Sequence, residues 1–152
     1  MEGEILMKFE PIFEWDEKNR CASCVLTVGN DTFYGTALCN EKDLDMMNEK
    51  TGCEIAYRRA KIKYLQHMKA ILKERLFALK QLYYAMKDSK RFNEKSYENV
   101  SLQRQMRFIN SDLATVKCLI ADEKQDLKTL IDEKDKFYIT IRKNRQKANL
   151  NK

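Results

Sequence analysis

Glycine and proline are nearly missing: four glycines and one proline in 152 residues leave too few turn-formers for a loop-rich or all-β chain. No run of about eighteen apolar residues occurs, so no membrane-spanning helix is expected. The N-terminal residues carry Glu2 and Glu4 without an apolar core, which does not read as a secretory signal. A single histidine, His67, has no serine or cysteine at a recognisable catalytic spacing, so Ser/His or Cys/His nucleophilic chemistry has no support. There is no glycine-rich phosphate loop. The five cysteines follow no disulfide-scaffold spacing and point to a reducing compartment, the cytoplasm. These gaps argue against an enzyme, and no cofactor is implied.

What is abundant is charge, 34% of residues, beside 43% hydrophobic residues. The net charge of +6 conceals an asymmetry. Residues 1–51 carry 5 basic and 11 acidic side chains, whereas residues 52–95 carry 12 basic and 4 acidic, and residues 96–152 carry 12 and 8. An acidic N-terminal part therefore precedes a basic remainder, which suits contact with nucleic acid or an acidic protein channel. The plain alternative is that Lys and Arg solvate the outer faces of helices.

The N-terminal part reads as β. Lys8 to Asp16 is an expected edge strand, because Pro11 cannot donate to a central ladder. Cys21 to Val28 and Thr32 to Leu38 are two further strands joined by Gly29-Asn30-Asp31, a hairpin turn signal. A three-stranded meander needs a cover for one face, and the following helix is the candidate. Its cap is expected at Asp43 or Asp45, with Glu49 favourable in the first turn.

From about Met46 onward the pattern is helical. Ile55, Ile62, Leu76 and Tyr83 recur every seven residues, as do Leu65, Leu72, Leu79 and Met86, with Arg58 and Lys69 as the polar exceptions. After Asp88 to Lys95 the beat returns in Met106, Leu113, Ile120, Leu127, Lys134 and Ile141, and in Leu102, Ile109, Val116, Glu123, Leu130 and Phe137. Ser96 is the expected cap of a second helix of about fifty residues, continuous through Asn110-Ser111. A short connection makes the two helices antiparallel neighbours, with residue 58 opposite 126 and Arg142, Lys143, Arg145 and Lys147 returning beside the acidic linker. The expected fold is α+β: a three-stranded antiparallel β meander followed by a long antiparallel helical hairpin, a coiled coil. Residues 1–45 form the acidic sheet and 46–152 the helical stalk. Met68, Ile71, Phe77, Tyr84, Phe108, Leu119, Ile131 and Tyr138, apolar but off the seam, imply a wider buried face, from either further packing of the helices on the sheet or association of two chains, and a homodimer is the expectation.

Candidate chemistry lies in three places. Cys21-Ala-Ser-Cys24 has metal-like spacing, but it sits in a strand pattern without a second Cys-x-x-Cys, so reduced core cysteines are the plainer reading and no metal site is assigned. One basic cluster is Arg58, Arg59, Lys61 and Lys63. Another surrounds the helix–helix connection: Lys80, Lys87, Lys90, Arg91 and Lys95, continuing to Arg104 and Arg107. Tyr83, Tyr84, Phe92, Tyr97 and Phe108 are interleaved with it. Cations beside stacking platforms suit single-stranded nucleic acid, and Tyr and Arg equally suit a protein hot spot.

Gly35-Thr-Ala-Leu-Cys39-Asn-Glu-Lys-Asp43-Leu-Asp45, then Gly52 and Ile55-Ala-Tyr-Arg-Arg59-Ala60, resembles a module of small phage-encoded proteins. In these a β-hairpin ends in Gly-x-Ala-x-Cys, and an acidic linker and a Gly precede a helix carrying Ala-x-x-Arg-Ala. The resemblance spans roughly residues 21–65 and departs from the pattern at Asn40-Glu41, where relatives often have Pro. It implies a non-enzymatic anti-defence protein working in the host cytoplasm against a host immune effector protein or ribonucleoprotein. Similarity to anti-CRISPR proteins would make it an inhibitor of a nucleoprotein effector. Similarity to Thoeris anti-defence sponges would make it a cyclic-nucleotide binder, with Tyr34, Asn40, Arg58 and Arg59 as ligand contacts. A nucleic-acid-binding coiled-coil protein is the third expectation.

Overall fold

The structure, a computed structural model, describes residues 10–38, 49–89 and 93–151. In chain order its elements are β1 (Ile12–Asp16), β2 (Cys21–Val28), β3 (Asp31–Leu38), α1 (Glu49–Lys87) and α2 (Tyr97–Leu150). The fold is α+β: a three-stranded antiparallel sheet in the order β1-β2-β3, followed by two helices. No described helix is long and apolar enough to cross a membrane. The cap candidates Asp43 and Asp45, and the linker expected beside Arg142 to Lys147, lie outside the described residues.

Local chemistry accounts for the strand ends. Pro11 stands immediately before β1, which is an edge strand. In the β1–β2 turn Asn19 donates from its side chain to the Asp16 carboxylate at 2.7 Å and from its backbone N–H at 3.2 Å. Those bonds hold the Asp16 carboxyl below its ordinary value. Gly29 and Asn30 form the β2–β3 turn, with Val28 facing Asp31 across it. Of these two turn residues Gly29 takes a positive φ, +62°, and Asn30 does not, the arrangement of a two-residue hairpin turn with glycine first.

By compactness the chain forms two units, and the division falls inside both helices. The first, the head unit, comprises Lys8–Tyr64 and Asp122–Lys152. Here the sheet shows one face to the helices. Ala22, Cys24, Leu26 and Ala37 point inward and are buried with Ile55, Ala56 and Ala60 of α1 and Tyr138 of α2. Trp15, Phe33, Tyr57, Leu127, Leu130 and Ile131 pack around them. Gly35 lies in the middle of this contact. A Cβ built there would stand 1.9 Å from the Ala56 carbonyl oxygen and 2.6 Å from the Ala60 nitrogen. The helix backbone thus rests on β3 where only glycine leaves room, and small residues at 56 and 60 complete the fit. An edge-to-face pair, Phe33 on Tyr64 with centroids 5.5 Å apart, closes the seam beyond.

Within the head unit the helices run antiparallel, since Lys61 reaches Glu123 and Arg58 reaches both Glu123 and Asp126. The expected pairing of 58 with 126 is therefore realised, at 3.4 Å. Along α2 the expected seam positions Glu123, Leu127, Leu130, Lys134 and Ile141 are buried or half-buried, and Phe137 is the exception at 57% exposed. Ile131 and Tyr138, expected on the wider buried face, are half-buried and 2% exposed.

The second unit is built from Leu65–Ala121. Its buried residues on α1 are Leu65, Met68, Leu72 and Leu76, and on α2 Leu102, Leu113, Val116 and Ile120. Leu79, Tyr83, Met86, Met106 and Ile109 are half-buried. Ser96 caps α2 as expected: its Oγ accepts from the Asn99 N–H at 3.3 Å and its carbonyl from the Val100 N–H at 2.9 Å. Asn99, 2% exposed, donates from its side chain to the Asn93 carbonyl. Helix α2 is one element through Asn110-Ser111. Phe77, Tyr84 and Phe108, expected on a wider buried face, are 64%, 56% and 63% exposed in the chain.

Candidate functional site

Strand geometry decides the cysteine question. Cys21 and Cys24 are an odd number of residues apart in β2, so their side chains leave opposite faces of the sheet and cannot share one ion. Cys24 lies in the core; burial, with Cys53 nearby as the lesser cause, pushes its thiol up to about 11. Burial also raises Cys53. Among the described residues no cluster of His, Cys, Asp and Glu could hold a metal.

The first basic cluster proves to be structural in half its members. Glu123 is buried and takes Lys61 Nζ at 2.7 Å and Arg58 Nη1 at 3.0 Å. Arg58 also reaches Asp126 at 3.4 Å and Glu54 at 3.7 Å. One carboxylate thus draws two cations into a half-buried network, so their charge faces inward. Arg59 is exposed, and its guanidinium donates to the Thr36 carbonyl at 2.7 Å. In a two-residue hairpin closed by Val28 and Asp31, even-numbered residues of β3 aim their backbone groups away from β2. Arg59 therefore covers part of the open edge of the sheet, a common guard against edge pairing. Lys63 is exposed.

Tyr34 is 58% exposed on the outer sheet face, in one cross-strand row with Ile12 and Val25. It and the helix that carries Arg59 lie on opposite faces of the sheet. Asn40, Lys90, Arg91 and Phe92 lie outside the described residues. A depression of about 200 Å³ in the head unit, lined by Thr51, Glu133, Lys134 and Phe137 among others, contains none of the expected ligand residues. Lys134 there reaches Asp135 at 3.6 Å and sits 5.6 Å above the Tyr138 ring.

The second basic cluster differs. Lys87, Lys95, Arg104 and Arg107 are all exposed in the unit Leu65–Ala121, as is Tyr84. None of the four cations forms an ion pair among the described residues. Tyr97 and Phe108 are 87% and 63% exposed beside them. Sequence reasoning passed over a further feature of this unit. Lys73, Phe77, Lys80, Tyr84 and Lys87 are all exposed and follow one another at intervals of four, three, four and three along α1. That spacing places them on one helical face. Lys73 carries no expectation from the sequence, and Phe77 is expected on the wider buried face. The signal was present in the sequence, a second helical stripe rotated from the seam with cations and rings in alternation.

Compared with protein-family models, curated proteins and solved structures, the chain matches none.

Proposed function

We propose that the protein is a non-enzymatic binder of the anti-defence kind, an inhibitor that engages a nucleoprotein effector through its helical unit. One contrast carries this reading. In the head unit Arg58 and Lys61 are held by Glu123, whereas Lys87, Lys95, Arg104 and Arg107 stand exposed beside Tyr84, Tyr97 and Phe108. Cations that form no ion pair among the described residues, next to exposed rings, retain their attraction for an anionic partner, and Tyr and Arg are the residue types that dominate binding hot spots. The head resembles the phage module in Gly35, Ala37, Ala56 and Ala60. Support for shared architecture comes from the close packing at those four residues. The cyclic-nucleotide sponge is less favoured, because the Arg59 guanidinium already serves Thr36 and Tyr34 lies on the far sheet face. On this proposal the site of action is the host cytoplasm.

The test is stoichiometry. Chain added to a purified defence nucleoprotein should abolish its nuclease activity at roughly equimolar concentration, with a complex recoverable by size exclusion. Full inhibition at a small fraction of the effector concentration would indicate turnover and defeat the proposal.

A further inference from the structure

We propose that the α1 stripe Lys73–Phe77–Lys80–Tyr84–Lys87 is a binding track for single-stranded nucleic acid. This deepens the binding role given above and rests on it. The five side chains are exposed, lie within one unit, and repeat every seven residues. Phe77 and Tyr84 therefore stand about 10.5 Å apart along the axis, as do successive lysines.

The order of residue types selects the partner. An aromatic face carries negative potential and repels a bare carboxylate or phosphate. Rings set in line between lysines are thus poorly suited to an acidic peptide, which offers anions alone. A membrane-surface helix would segregate its apolar residues onto one face and its cations onto another, and here they alternate along a single line. A second copy of the chain would bring lysine against lysine. The polymer that alternates fixed anions with flat π surfaces is nucleic acid, and its bases are free to stack on side chains when unpaired. On α2 of the same unit, Tyr97, Arg104 and Phe108 repeat the mixture of ring, cation and ring on an exposed face.

Fluorescence anisotropy of the full chain with labelled 20-mers of oligo-dT and oligo-U, over a salt series, tests the track. Three lysines on phosphates give a log–log salt slope near about −2, and Lys80→Ala should reduce its magnitude by about 0.7. The double variant Phe77→Ala/Tyr84→Ala should weaken binding by about tenfold or more with an unchanged slope. Because these side chains are exposed, helicity by circular dichroism should match the parent in each variant. Absence of binding at low salt overturns the inference. So does salt-dependent binding that the double variant leaves intact, which is unspecific polyelectrolyte attraction. Equal binding of poly-glutamate would reassign the stripe to acidic protein, and self-association abolished by the double variant would reassign it to a copy interface. A chain that inhibits its effector but ignores oligonucleotides sinks the track alone; one that binds them without inhibiting sinks the inhibitor role alone.

Discussion

Replacing Gly35 by alanine should destabilise the head unit more than the same replacement at Gly29. The new Cβ would lie 1.9 Å from the Ala56 carbonyl oxygen, whereas an unstrained carbon–oxygen contact needs about 3.3 Å. Helix and strand must therefore part by about 1.4 Å or distort locally. Both obstructing atoms belong to backbone, so no side-chain rotation relieves the clash. The gap opened beside Ala22, Ala37 and Ala60 forfeits dispersion over a core with little side-chain bulk to refill it. Overpacking of this kind costs about 1–3 kcal/mol, and a backbone clash belongs at the upper end, near about 3 kcal/mol. Trp15, the sole tryptophan, packs against this core and reports its unfolding in urea. With ordinary denaturant sensitivity the midpoint should fall by more than about 1 M. Gly29→Ala is the control, because Gly29 has φ +62° and nothing within 4 Å; it should cost only the conformational penalty of about 1–2 kcal/mol. A Gly35→Ala midpoint equal to the parent's, or no lower than that of Gly29→Ala, would refute the close approach of α1 to β3.

Glu123→Gln should destabilise the head unit by about 1–3 kcal/mol in the same urea assay, because Arg58 and Lys61 lose their common anion while remaining half-buried; an unchanged midpoint would mean the pairs are solvent-like. The Cys24 thiol, pushed up to about 11 by burial, should carry only about a thousandth thiolate at pH 8. In native protein, alkylation mapped by mass spectrometry should label exposed Cys118 first. Cys24 labelling should accelerate with pH toward 11, since the reactive form is the deprotonated one; rapid Cys24 labelling at pH 8 would contradict its burial. Ser96→Ala should cost about 1 kcal/mol and speed hydrogen exchange at Asn99, whose N–H bonds to the Ser96 Oγ, while unchanged exchange there would show the cap to be idle.

Much of the backbone was legible because it is locally encoded. The Gly29-Asn30 turn, Pro11 at an edge strand and the Ser96 cap each act over a few residues, and each lies where expected. The pairing of 58 with 126 followed from a short connection and simple antiparallel counting. What escaped was long-range or rotational. The contacts of Arg58 with Glu123 and of Arg59 with the Thr36 carbonyl join residues distant in sequence and are invisible to spacing. Phe137, on the seam by count, is exposed, and the buried position there falls to Tyr138 of the wider face. Phe77, Tyr84 and Phe108, expected on a wider buried face that takes in a homodimer contact, stand exposed in the single chain, Tyr84 and Phe108 among the aromatics of the second basic cluster. Gly35 stood out only within the resembling motif, and its role emerged only once the helix was seen against the strand.

The division between a structural head and a recognising helical unit is best tested by comparing two variants in one inhibition assay. Against a defence nucleoprotein that the parent chain silences, we expect Tyr84→Ala/Lys87→Glu to lose most of its inhibition while Arg59→Ala retains it. Loss with Arg59→Ala, together with full inhibition by Tyr84→Ala/Lys87→Glu, would contradict that division and return the binding site to the head.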